Sequence, residues 1–309
     1  MILLLACARP PTISLPVDPV ATFEQARFVA SGDAGNGKAL GLAKSIAAVC
    51  AERGCDFVLY LGDTGYPHGY TSPDDPDFET HFTIPFAPVE LPFFVVMGNH
   101  DYGGWRGAGN HWERAAVMEA LAARSPKWHF PAPAYVFDAG GARFVGLDTN
   151  RIVWGFHDEE SQWIDGVVDA APGPVVAFGH HPCRSVGRHG DAGNYDGLGR
   201  VGKLPGFRVA AGTSFARFVD EHLCGEAAVY IGAHDHDREW MAPACGMEVL
   251  VSGGGGETAP LDRPDDPSAL FASDQPGFLY ARVTSDEIDG TFYDTAGRAS
   301  FQRTAALSR

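Results

Sequence analysis

Cationic side chains are scarce in this 309-residue chain, where 23 Lys and Arg stand against 39 Asp and Glu for a formal charge of −16. A field of that sign opposes adsorption to nucleic-acid backbone or to anionic membrane, so no nucleic-acid partner is expected. No apolar run reaches the ~20 residues of a membrane span. None of the six cysteines falls in a paired C-x-x-C pattern, which argues against a structural zinc site. Internal repeats, low-complexity tracts and a convincing linker are also missing.

What is present is a globular composition, with 45% hydrophobic and 20% charged residues, close to that of soluble domains. An acidic protein can still bind phosphate where a local metal ion inverts the potential inside one pocket. Cys50 and Cys55 flank a short turn between a helix and a strand, and Cys224 and Cys245 bracket a strand and its return. Both pairings are sterically open as disulfides, with reduced thiols the alternative in a cytosolic chain. Leu4-Leu5-Ala6-Cys7 looks like a bacterial lipoprotein cleavage site, without the basic region and longer apolar stretch of a full signal peptide. That reading implies an exported, periplasmic or cell-surface lipoprotein with a lipid anchor at Cys7; the alternative is cytoplasmic.

After a Pro-rich lead over residues 1–22, residues 23–309 alternate short apolar runs with helical patterns, the signature of one α/β domain. Strands are expected at Arg27–Ala30, Phe57–Leu61, Phe93–Met97, Tyr135–Phe137, Arg143–Leu147, Val175–Phe178, Ala228–Ile231 and Met247–Val251. Leu40, Leu42, Ala43, Ile46, Ala47 and Val49 keep helical spacing. Further helices are expected over about 109–124, 158–170 and 212–222. The tail from Gly277 is expected to add two strands and complete a second sheet.

Five of these strands run into a glycine followed, directly or one residue later, by a side chain able to bind metal: Asp33, Asp63, Asn99, His180, and His234 with His236. Strand ends are where α/β folds place ligands. His234 and His236, at i and i+2, project to one side of an extended segment. Singly each motif is an ordinary turn, but together they form a mixed oxygen and nitrogen donor set hard enough for Fe, Mn or Zn.

The motifs Gly32-Asp33-Ala34-Gly35, Gly62-Asp63-Thr64-Gly65-Tyr66, Gly98-Asn99-His100-Asp101, Gly179-His180-His181-Pro182 and Gly232-Ala233-His234-Asp235-His236 resemble those of the calcineurin-like metallophosphoesterases. Within that superfamily the chain is similar to the purple, or tartrate-resistant, acid phosphatases over about residues 26–305. Tyr66, three residues after the second aspartate, looks like that family's Fe(III)-binding phenolate. Trp128-His129-Phe130-Pro131, Leu147-Asp148-Thr149 and Val251–Gly256 add to the likeness.

The resemblance implies a four-layer αββα sandwich of two mixed sheets. It also implies two metal ions, Fe(III) and a divalent Fe, Zn or Mn. Asp33, Asp63, Tyr66 and His236 would surround the first ion, and Asp63, Asn99, His180 and His234 the second, with Asp63 bridging. His100 and His189 look like the histidines that bind phosphate oxygens and protonate the leaving group. Two departures stand out: His181 occupies a position usually aromatic, leaving open which of the paired histidines ligates, and Ala233 separates Gly232 from His234.

The expected activity is acid-phosphatase hydrolysis of small phosphate monoesters by a metal-bound hydroxide. Alternatives are a Mn- or Zn-dependent phosphodiesterase or nucleotidase, or a non-catalytic lipid-anchored binding protein on the same fold. Loops 103–110 and 183–200 are expected to rim the pocket.

Overall fold

The computed structural model describes residues 10–307 except 105, 106, 203, 205 and 206, so the anchor expected at Cys7 lies outside the described residues. In chain order the first strands are β1 (Thr22–Phe23), β2 (Ala26–Ser31), β3 (Phe57–Tyr60), β4 (Phe93–Val95), β5 (Trp128–His129), β6 (Tyr135–Ala139), β7 (Ala142–Gly146) and β8 (Val175–Phe178). They continue as β9 (Val229–Gly232), β10 (Arg238–Ala244), β11 (Met247–Ser252), β12 (Ala269–Ser273), β13 (Gly277–Val283), β14 (Glu287–Asp294) and β15 (Ala299–Ala306). The α-helices are α1 (Leu40–Arg53), α2 (Arg114–Ala120), α3 (Thr149–Trp154), α4 (Asp158–Asp169) and α5 (Thr213–Phe218).

One sheet has the order β1-β6-β7-β8-β9-β11-β10-β12 and the other β15-β14-β13-β2-β3-β4-β5. Each is mixed. The runs β2-β3-β4-β5 and β7-β8-β9-β11 are parallel, while β13, β14 and β15 extend the second sheet antiparallel. The parallel strands read as continuous apolar runs because both of their faces are covered.

Alternation along each strand sorts side chains between two layers. On β2 and β3, Phe28, Ala30, Phe57 and Leu59 face the space between the sheets, and Val29, Val58 and Tyr60 face outward beneath α1. The other sheet sends Phe137, Phe144, Phe178 and Ile231 inward and packs Val145, Ala177 and Tyr230 under α4 and α5. The result is the four-layer αββα sandwich, and it aligns the carboxyl ends of both parallel runs along one edge.

Three expectations need correction. The helix expected over 109–124 starts only at Arg114, because Gly109 is left-handed at φ 67° and its carbonyl accepts from Asn150 Nδ2 at 2.8 Å. The tail forms three strands rather than two. Met247–Ser252 is preceded by an unforeseen partner, β10, whose pattern is broken by a register shift between Met241 and Ala244. Both expected disulfides are formed, Cys50–Cys55 and Cys224–Cys245, and Cys183 is free and buried. Among the described residues no helix is long and apolar enough to cross a membrane.

Phe57 is at the centre of the sandwich, stacked on Phe28 at 5.5 Å and edge-on to Phe137 and Phe144 at 5.1 and 5.2 Å. Phe57→Ala should therefore lower unfolding free energy by about 3–5 kcal/mol. Urea denaturation checks this; a loss below about 1 kcal/mol would show that the sheets do not depend on this ring.

Candidate metal centre

The side chains singled out at the strand ends converge where the two sheets meet. Asp33, Asp63 and Asn99 follow β2, β3 and β4 of one sheet, whereas His180, His234 and His236 follow β8 and β9 of the other. Ligand atoms of Asp33, Asp63 and His180, all buried, lie within 4.8 Å of one another.

Local backbone geometry aims them. Asp33, Asp63 and His234 occupy the left-handed region at φ 58°, 51° and 67°, a conformation that costs a non-glycine residue about 1–2 kcal/mol. The loops hold each other in it: His234 N–H donates to Asp33 Oδ2 at 2.9 Å, and His100 N–H donates to Asp63 Oδ1 at 2.9 Å. Gly98 is required by contact, since a Cβ there would lie 2.1 Å from Asp63 Oδ1.

The donor set is turned for a cation. His180 Nδ1 donates to the Leu61 carbonyl at 2.8 Å, which leaves Nε2 as a bare lone pair. Asn99 Nδ2 donates to the Gly107 carbonyl at 2.8 Å, so its Oδ1 is an acceptor too. These two acceptors are 3.1 Å apart, with Asp63 Oδ1 3.5 Å from the same nitrogen and His234 Nδ1 at 3.1 Å. Asp63 Oδ2 is buried without a hydrogen-bond partner. Facing lone pairs and an orphaned buried carboxylate oxygen repel and are costly unless a positive ion sits among them.

On the other side, Tyr66 OH donates to Asp33 Oδ1 at 2.9 Å and lies 3.3 Å from His236 Nε2. His236 Nε2 is 3.5 Å from Asp33 Oδ1. His181, the neighbour left open as a possible ligand, is turned away, its Nδ1 3.0 Å from the Thr149 hydroxyl.

Of the two outer histidines, His100 rests on Tyr66 with ring centroids 4.6 Å apart and donates from Nδ1 to the Pro67 carbonyl at 2.7 Å. His189 stacks on His234 at 4.2 Å. In the expected rim loops, Gly107 approaches Asn99 and His100 so closely that a Cβ would come within 2.8 Å of both.

These motif ends match a known pattern, the calcineurin-like phosphoesterase family, over residues 26–238. The chain belongs to that family. It is 26% identical over 89% of its length to tartrate-resistant acid phosphatase type 5 of Oryctolagus cuniculus, covering 89% of that protein. A purple acid phosphatase from yellow lupin (Lupinus luteus) seeds superposes with a TM-score of 0.64 at 18% identity, over 96% of this chain and 55% of that one. GAP50, the anchor in the inner membrane complex of Plasmodium, superposes with a TM-score of 0.70 at 18% identity, over 92% of this chain and 90% of that one.

Electrostatics in this phosphoesterase fit cation binding. His234 and His181 are held well below their usual range, chiefly by burial and then by neighbouring imidazoles, and so stay neutral. His236 is pushed up to about 9: burial opposes this, but the hydrogen bond and charge of Asp33, with Asp63 and Glu257, prevail. Burial, then the charges of Asp33 and Asp63, raise the Tyr66 phenol well above its usual value.

Three supporting residues were not read as such from the sequence. Buried Asp101 accepts from Thr64 N–H, Thr64 Oγ1 and Gly98 N–H at 2.8, 2.7 and 2.8 Å, tying the Asp63 loop to the Asn99 loop. Thr149 Oγ1 accepts from His180 and His181 N–H at 3.2 and 3.0 Å. Asp235 accepts from His189 N–H at 2.6 Å. Each stands inside a motif already singled out, which was its only signal.

Gly98→Ala should force the Asp63 loop apart and destabilise the fold by about 1–3 kcal/mol. Thermal and urea denaturation measure it, and a variant as stable as the parent would mean that the close approach is not enforced.

Proposed function

We propose that this phosphoesterase is an acid phosphatase that hydrolyses small phosphate monoesters at a pair of metal ions, Fe(III) and a divalent Fe, Zn or Mn. The observation that carries the reading is the crowding of His180 Nε2, Asn99 Oδ1 and Asp63 around one point, beside a second cluster of Asp33, Tyr66 and His236 that shares the same edge. Asp63, with one oxygen near His180 and the other unpartnered, is suited to bridge. Asp33, Tyr66 and His236 would hold the ferric ion, and Asn99, His180 and His234 the divalent one.

Two such cations, held by these residues, would supply Lewis acidity that polarises phosphoryl oxygens and acidifies a water. The protein residues do the rest. Asn99 offers an oxygen without adding negative charge that would repel phosphate. Burial and two carboxylates oppose ionisation of Tyr66, so a phenolate there would call for a highly charged cation such as Fe(III). His100 and His189, at the rim beside the candidate ligands, would bind phosphate oxygens and deliver a proton to the leaving group. The likeness to GAP50 is one of fold; the donor set, not the sandwich, supports turnover. Both disulfides support an oxidising compartment and hence export.

Oxidised, iron-loaded protein should show a visible tyrosinate-to-iron absorption band that Tyr66→Phe abolishes. A parent protein without the band would favour the Mn- or Zn-dependent diesterase or nucleotidase reading. His189→Ala should lower kcat on p-nitrophenyl phosphate about 10²-fold while elemental analysis finds its metal unchanged; loss of metal in that variant would refute its place outside the ligand set.

A further inference from the structure

Asp196, a residue that no motif marks, takes hold of His189 at two points. Its backbone N–H donates to the His189 carbonyl at 2.9 Å, and its Oδ1 accepts from the ring Nδ1 at 3.0 Å. Both bonds close at once because Asp196 is in the left-handed region, at φ 53°, where Asp is better tolerated than most residues. The turn that carries it is fixed by Tyr195, whose hydroxyl donates to the Pro182 carbonyl at 2.5 Å.

The His189 backbone is secured from the other side. Asp235, between His234 and His236, accepts from His189 N–H through Oδ1 and from Gly190 N–H through Oδ2 at 3.0 Å. With the backbone tied down, the remaining freedom of His189 is rotation of its ring. Asp196 removes that freedom, and by occupying Nδ1 it leaves Nε2, on the opposite edge, as the nitrogen available to a substrate.

Stability does not explain the pair. The His189 and Asp196 side chains are 30% and 53% exposed, and an ion pair so open to water contributes little to folding. We propose that Asp196 is a positioning residue that fixes the His189 imidazole against the His234 ring, so that a phosphate ester in the cleft meets Nε2 in one orientation. This rests on the phosphatase reading above and extends it to a residue outside the ligand and rim histidines.

The test is a double-mutant cycle on the metal-loaded full chain, with Asp196→Ala, His189→Ala and the double variant. Two assays are read: steady-state kinetics on p-nitrophenyl phosphate, giving kcat and KM, and calorimetric affinity for inorganic phosphate. Asp196→Ala should lower kcat about tenfold and weaken phosphate binding several-fold, yet add nothing in the His189→Ala background. Asp196→Asn keeps an acceptor oxygen and should recover most of both losses. An unaffected Asp196→Ala, or equal losses in both backgrounds, would overturn the proposal, the second outcome showing a merely structural role. A parent protein that binds phosphate but hydrolyses no ester would refute the phosphatase reading, while the phosphate-binding cycle still decides Asp196.

Discussion

His180 Nε2 and Asn99 Oδ1 face each other across 3.1 Å, each side chain having already spent a donor on a backbone carbonyl, so two acceptors converge on one point with His234 Nδ1 beside them. The orphaned Asp63 oxygen adds to this crowding. A fold that keeps such groups together is one whose stability was set by the rest of the structure and whose site is completed by a cation. The loops, the strained backbone at Asp33, Asp63 and His234 and the bracing carboxylates all serve that arrangement.

The force that holds it is the interior between the sheets. Phe28, Phe57, Phe94, Phe137, Phe144 and Phe178 interlock from both sides, and close-packed aromatic cores resist the small shifts that would let the ligands drift apart. Candidate ligands come from both sheets, Asp33, Asp63, Tyr66 and Asn99 from one and His180, His234 and His236 from the other, so the separation of the sheets sets the distance across the centre. That is why a structural layer far from the chemistry governs it.

Around the ligands stands a set of buried or half-buried acceptors with structural tasks. Asp101 joins two ligand loops, Thr149 gathers the backbone of His180 and His181, and Asp235 links the His234 turn to the His189 loop. Burial first, and then the charge of Asp63, push the Asp101 carboxyl up to about 6 against the hydrogen bonds it accepts, so carboxylates are crowded together at this edge. An acidic protein can thus offer a phosphate-binding cleft only by way of the cations that this charge attracts.

Much of this was legible from residues alone. Apolar strands ending in Gly and a metal-competent side chain determined the parallel runs and the ligand candidates, because a buried strand must be apolar and a sharp turn at its end must be small. The cysteine spacing likewise offered two pairings within the backbone's reach, and the structure closes both. Tertiary structure decided what local pattern cannot encode. It turned His180 rather than His181 inward, because Thr149, distant in sequence, occupies the His181 ring nitrogen. It shortened the helix over 109–124, because Asn150 claims the Gly109 carbonyl. It brought Asp196 to His189, a contact made by a left-handed turn that carries no sequence signature. Periodicity reports which face of a segment is buried; which partner waits there depends on chain that returns from elsewhere.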